Sequence, residues 1–293
     1  MPDTVSYAQP TGMTAAGPHE SALKDLPADP GALTEVLHGL VIHEHIAPNY
    51  GVTLSDDDRT TVHVRPAADL LTAILARDPE PLDVPRPPER RLAGNCRHFT
   101  VLMTAMLRAH GIPARARCGF GAYFGTGVNE DHWVCEYQAP SGRWTLIDAQ
   151  IDERQLGMFP ITFDVRDVPR NQFLVAGDAW QKVRAGTADP AVFGFSIMNE
   201  TGDWWIAQNL VRDGAALLNT ELLPWDRWGA MPRPIDPITS DLAALFDELA
   251  EATVDPDPAR LAELYEDERI RVPEVVRNTV LDRDEPVWPL QET

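Results

Sequence analysis

The stretch GNCRHFTVLMTAMLRAHGIPARARCGF, residues 94–120, decides the fold. Phe99, Leu102, Met103, Met106 and Leu107 recur at the i, i+3, i+4, i+7, i+8 spacing of a single helix face. Asn95 is of the type that caps helix starts, which puts Cys96 at the first helical position. His110-Gly111 ends the helix, and Pro113 forbids its continuation. Ala114–Cys118 then reads as a strand. A cysteine in a first turn has the positive end of the helix dipole at its sulfur, which favours the thiolate, and an imidazolium nearby favours it further. The same N–H groups can hold a developing oxyanion. Alone, such a cysteine is more often a packing residue.

Further along, DHWVCEYQAPSGRWTLID (131–148) contains two strand-like runs around Gln138-Ala139-Pro140-Ser141-Gly142, a turn by composition. A hairpin closed by those five residues sets Tyr137 opposite Arg143 and His132 opposite Asp148. Residues 132, 134 and 136 then share a face with 144, 146 and 148. Val134 and Leu146 form an apolar base, with His132 and Asp148 at the open end. A slip of one residue would break that parity. Cys96, His132 and Asp148 together supply a nucleophile, a base and a group that orients the base.

These segments resemble the transglutaminase-like superfamily, which includes the peptide N-glycanases and many bacterial cysteine peptidase-like proteins. The shared pattern is a helix-start cysteine, the run A-x-L-R-A-x-G-I-P-A-R at Ala105–Arg115, a His before a Trp and an acidic residue (His132, Trp133, Glu136), and W-x-x-x-D at Trp144 and Asp148. The resemblance covers about 60 residues, Gly94 to Asp152. Trp133 follows His132 directly, where the family usually has one residue between. Asp131 before His132 is similar to the N-glycanase branch, but the zinc-binding cysteine pairs of that branch are absent. The resemblance implies an α+β fold with a papain-like core, the cysteine helix packed on an antiparallel sheet. It also implies a Cys96-His132-Asp148 triad, with Asn95 and Trp133 as candidate oxyanion or substrate contacts.

Outside the core, residues 1–30 are rich in Pro, Ala, Gly and Asp and read as a mobile arm. Residues 31–293 read as one domain: an N-terminal helical part (31–90), the core (91–180) and a C-terminal helical extension (181–293). Helices are expected over Gly31–Ala47 and from Pro66 onward, the latter burying Leu70, Leu71, Ile74 and Leu75. The proline-rich stretch Arg77–Arg90 should be an extended loop. Trp204–Leu223, Asp241–Glu251 and Ala259–Arg269 are the C-terminal helix candidates, and Trp204, Trp205, Trp225 and Trp228 are read as core or groove-lining residues. GFGAYFGTG lacks a following G-K-S/T and reads as a mobile loop ahead of His132.

The 293 residues carry 25 Lys and Arg against 45 Asp and Glu, a net charge of −20. That charge repels phosphate backbones and anionic lipid, so neither nucleic acid nor a membrane is expected as a partner. No run of 18 apolar residues offers a membrane span. The start, MPDTVSYAQPTGM, has no basic stretch leading into an apolar core, so a reducing cytoplasm is expected. Three cysteines make no disulfide framework, and none sits in a C-x-x-C pair. Cys118 and Cys135, in predicted strands, read as packing residues. Arg97 and His98 flank Cys96 and could tune it or touch substrate; for His98 a structural hydrogen bond is favoured. His43-Glu44-His45 looks metal-like but is wrongly spaced for ligands on a helix, so no metal or other cofactor is expected.

The function that follows is a cysteine enzyme acting on a peptide, amide or small-molecule acyl bond. Its acyl acceptor is either water (a protease or amidase) or an amine (an acyltransferase). A binding or scaffold protein that retains the core is the alternative. A metal-dependent hydrolase built on His43 and His45 is a third reading.

Overall fold

The computed structural model describes residues 5–288. Helices α1 (Glu20–Lys24), α2 (Pro30–Leu40), α3 (Asp56–Thr60), α4 (Ala67–Arg77) and α5 (Cys96–Ala109) precede most of the sheet. Strands β1 (Val41–His43) and β2 (Leu92–Gly94) form a parallel pair of their own. Then come β3 (Ala114–Gly121), β4 (Asn129–Gln138), β5 (Trp144–Ile147), α6 (Glu153–Leu156), β6 (Phe173–Val175), α7 (Ala176–Arg184), β7 (Phe193–Phe195) and β8 (Glu200–Thr201). The chain continues with α8 (Asp203–Leu217), β9 (Asp226–Arg227), α9 (Ser240–Val254), α10 (Pro258–Leu264), β10 (Val275–Asn278) and β11 (Arg283–Pro286). This is an α+β fold. No described helix is long and apolar enough to cross a membrane.

The main sheet runs β6-β3-β4-β7-β8, with β5 also on β4. One edge of β4 is shared: β5 pairs with Cys135–Gln138 and β7 with Asn129–Glu130. Asp131 to Val134 lie in the gap between them, so His132 sits where no described strand covers that edge. The other edge of β4 pairs with β3 throughout, from Ala114↔Tyr137 to Gly121↔Glu130.

Helix α5 forms as its sequence dictates, and its apolar stripe of Phe99, Leu102, Met103, Met106 and Leu107 is buried against α2, α4 and the sheet. Helix α2 stops at Leu40 rather than running on to Ala47, because Val41-Ile42-His43 peels off to pair with Leu92-Ala93-Gly94. Propensity yields there to strand pairing, which two β-branched residues favour. Helix α8 stops at Leu217, where Asn219 adopts φ 61° and Thr220 N–H closes back on the Ala215 carbonyl at 2.9 Å.

The mobile-arm expectation for 1–30 is corrected over residues 5–30; residues 1–4 lie outside the described ones. Met13 and Leu23 are fully buried, the Tyr7 hydroxyl donates to the Leu217 carbonyl at 3.0 Å, and Ala114 N–H donates to the Tyr7 carbonyl at 2.8 Å. Four isolated apolar residues, Met13, Ala16, Leu23 and Leu26, suffice to dock an irregular segment that shows no periodicity. The end of the domain expected over 31–293 likewise falls, at residues 289–293, outside the described ones.

Candidate active site

Cys96 opens α5 and is 7% exposed. The Asn95 side chain accepts from Arg97 N–H at 3.1 Å, and the Asn95 carbonyl accepts from His98 N–H at 2.9 Å. The cap thus occupies the N–H groups that follow the cysteine. His98 takes the structural role: its Nδ1 lies 2.9 Å from Asn95 Oδ1 and 3.3 Å from the Asn95 backbone nitrogen, and its Nε2 lies 3.3 Å from the Thr61 carbonyl. Burial and the adjacent Arg97 hold His98 well below the usual imidazole range. Arg97 is turned inward and fully buried, with its guanidinium on the Glu221 carbonyl. It anchors the chain beyond α8 and has no surface for a substrate.

His132 Nε2 lies 2.8 Å from Asp148 Oδ2, and both side chains are almost wholly buried. The Cys96 sulfur lies near enough to act on the same imidazole electrostatically. With Nε2 taken by Asp148, Nδ1 is the nitrogen left for the sulfur. Burial alone would push His132 down, but the Asp148 carboxylate and the Cys96 sulfur outweigh it and hold the imidazole up at about 10. Asp148 shows the converse: burial would raise it, and the His132 imidazolium with its hydrogen bond keeps it below the usual carboxylate range.

The hairpin register differs from the sequence expectation by two residues in all, one step on each strand. Tyr137 pairs with Thr145 and Gln138 with Trp144, so the five-residue loop is 139–143 rather than 138–142. Within it Gly142 N–H donates to the Ala139 carbonyl at 2.8 Å, and Gly142 adopts φ 85°, a conformation glycine takes at little cost. Because both strands shift by one, parity is kept. Val134 and Leu146 still share one buried cluster, and Asp148, just past β5, still meets His132. Its backbone N–H is fixed by the Val165 carbonyl at 2.8 Å.

Trp133 is 1% exposed and packs in a small cluster with Cys96, Ala116, Cys118 and Ala216. It lies beside Cys96 but offers no face to a substrate. Asn95 is likewise buried, its Oδ1 spent on the cap and its Nδ2 without a partner among the described residues. Cys118 and Cys135 are fully buried; burial pushes Cys118 well up and Cys135 to about 12. His43 lies beside Gly94 through the β1–β2 register, and burial and its histidine neighbours, His132 among them, lower it to about 3. His43 and His45 have ring centres 5.7 Å apart. Among the described residues no three His, Cys, Asp or Glu side chains come together as a metal site.

Of the tryptophans, Trp228 belongs to the large C-terminal core, with its Nε1 on the Ile270 carbonyl at 2.9 Å. Trp205 donates to Asp131, the residue before His132, at 2.8 Å. Trp225 packs near Ile42 and Ala93, close in sequence to His43 and Cys96, and edges onto His63. Sequence reasoning missed Tyr123 and Phe124. The loop that holds them folds over His132, with ring centres 6.0 and 5.0 Å from the imidazole. The available cue was two adjacent aromatics in a loop otherwise made of small residues.

Residues 57–149 match the model of the transglutaminase-like superfamily. A solved structure from Cytophaga hutchinsonii, described as a candidate cysteine protease, is 21% identical with a TM-score of 0.35. The likeness covers 61% of this chain and 50% of that one, so the chain spans about half the length of that structure. No curated protein matches the sequence. Helix-start cysteine, strand histidine and post-strand aspartate all fall inside the segment, residues 57–149, that is similar to the transglutaminase-like superfamily.

Proposed function

We propose that this protein is a cysteine-dependent acyl-transfer enzyme. Cys96 is the nucleophile, His132 the general base and acid, and Asp148 the group that orients the imidazole. In the first half-reaction the Cys96 sulfur, its proton already held by His132, bonds to the substrate carbonyl carbon. The oxygen becomes an oxyanion beside the start of α5, where the free N–H of the first turn can donate to it. The C–N bond then breaks, and His132 gives its proton to the departing amine, leaving a thioester on Cys96. In the second half-reaction water or an amine attacks the thioester and loses its proton to His132, the sulfur departs, and the thiolate–imidazolium pair is restored. No bound metal is invoked at any step.

The observation that carries this reading is the His132–Asp148 pair at 2.8 Å, with Cys96 at the start of α5 close enough to hold the imidazole up. The family match supports a cysteine-dependent enzyme in general terms. The test is a screen of peptides, amides and small acyl compounds against wild type and Cys96→Ala, with intact-mass detection of the acyl-enzyme. An adduct on wild type that Cys96→Ala lacks is the expected result. Undiminished turnover by Cys96→Ala overturns the reading, and complete, metal-reversible loss of activity on chelation would favour a metal site at His43 and His45.

A further inference from the structure

Asp148 does not answer to His132 alone. The Tyr123 hydroxyl donates to the same oxygen, Oδ2, at 2.7 Å, while Gln150 N–H donates to Oδ1 at 3.1 Å. Tyr123 is 2% exposed, and the carboxylate is the one side-chain partner its hydroxyl has among the described residues. A hydroxyl so buried must be satisfied, and an ionised carboxylate is the strongest acceptor available to it. Its ring is held on several sides. It stands edge-on to His132 and to Phe163, and is tilted against Phe124. Gly121 makes room for this: a Cβ there would come within 3.1 Å of the Tyr123 ring and 2.7 Å of Phe124. The place of the hydroxyl is therefore set by packing as well as by its hydrogen bond.

Resting on the Cys96-His132-Asp148 reading, we propose that Tyr123 is a positioning residue, a fourth member of the relay, which fixes the Asp148 carboxylate and limits how strongly it draws on the His132 proton. Two donors share the negative charge of one oxygen. Without the phenol, Oδ2 keeps a single donor, and the carboxylate binds the imidazolium more tightly while losing one of its anchors. Tyr123 thus trades some stabilisation of the cation for a fixed geometry and a proton that His132 can release to the leaving group. The phenol stays protonated throughout, because burial and the adjacent carboxylate hold it well above its usual range. The other groups facing His132 are Cys96, His43 and Asp131, and none of them touches the Tyr123 hydroxyl.

The test is an NMR titration of His132 in the full chain, labelled at its eight histidines, in wild type and Tyr123→Phe. The substitution keeps the ring. The His132 midpoint is expected to rise by about one pH unit, and kcat to fall about ten-fold with KM little changed. An unmoved midpoint in folded Tyr123→Phe overturns the proposal. If that variant does not fold, replacing the five tyrosines with 3-fluorotyrosine makes the phenol a stronger donor without removing it. The midpoint should then fall, and an unchanged or raised value overturns the proposal. The titration needs no substrate, so it stands or fails separately from the acyl-transfer reading, which is tested by Cys96→Ala.

Discussion

Asp213 of α8 holds Arg117 of β3 with both carboxylate oxygens, at 3.1 and 2.8 Å, and neither side chain touches solvent. The same carboxylate accepts the backbone N–H of Cys118 at 2.8 Å. The C-terminal third is thereby locked to the sheet that carries His132. Arg117 also reaches Glu136 at 3.0 Å, so two carboxylates neutralise its charge in the interior. Asp213→Ala should cost about 3–5 kcal/mol by leaving part of that charge unpaired. Chemical denaturation would measure it, and a loss near zero would mean the site relaxes or hydrates. Truncation after Val183 removes Asp213 and most of the larger core, so it should give insoluble or molten protein; a soluble, cooperatively unfolding product would contradict the one-domain reading.

Sub-stoichiometric iodoacetamide at neutral pH should label Cys96 well before Cys118 or Cys135. The first has an imidazole to take its proton, while the other two are fully buried and held protonated. Peptide mapping of the alkylated protein decides the order, and early labelling of either buried thiol counts against the nucleophile assignment.

Asp148→Asn should leave the fold intact and lower kcat by up to about 10⁴-fold, the loss found when such an exchange stabilises the wrong imidazole tautomer. Circular dichroism and steady-state kinetics on the same preparation check both halves. Near-normal turnover would mean that another group orients His132.

The same pair makes stability depend on pH with a definite sign. His132 is raised to about 10 in the folded chain against about 6.5 unfolded. Its contribution is therefore complete below about pH 6.5 and is lost as pH climbs towards 10. Asp148 is depressed, so its own contribution is present above the ordinary carboxylate range and fades only in stronger acid. The Tm difference between wild type and His132→Gln should narrow steadily from about pH 6.5 upward; a gap that widens with pH would reverse the assignment.

The tryptophans should part company. Trp228 is 5% exposed in the C-terminal core, and Trp228→Ala should cost about 3–5 kcal/mol in stability with specificity untouched. Trp225 lies against Ile42 and Ala93. Trp225→Ala should stay folded and change the ratio of kcat/KM among acyl substrates. Unaltered preferences in a folded variant would remove Trp225 from any wall of the site.

The sequence was most legible where short-range physics sufficed. Asn95, the apolar stripe and His110-Gly111 specify α5 from within, and the structure starts that helix at Cys96. Parity along β4 and β5 brought His132 and Asp148 together even though the turn is offset by one residue on each strand, because parity depends on the sum of the two shifts. What escaped was set by distant partners. Leu92–Gly94 is strand only because Val41–His43 lies beside it, and helix α7 has no distinguishing cap. Met13 is buried only because the end of α8 is there to receive it, with Met13 N–H on the Asn219 carbonyl. Tyr123 was hidden for the same reason: its acceptor is 25 residues away, beyond a hairpin.

The loop between β4 and β5 has a consequence for how such chains can diversify. Ala139 to Arg143 is exposed or nearly so and touches none of Cys96, His132 or Asp148. Its residues are free to vary, provided the glycine conformation at 142 is kept. Its length is not free. One inserted or deleted residue would turn every β5 side chain over and carry Asp148 away from the imidazole, whereas two would slide the strand and keep the side chains on their faces. Related chains that keep the aspartate should therefore differ in this loop by even numbers of residues, and an odd difference would mark a site rebuilt around another acid.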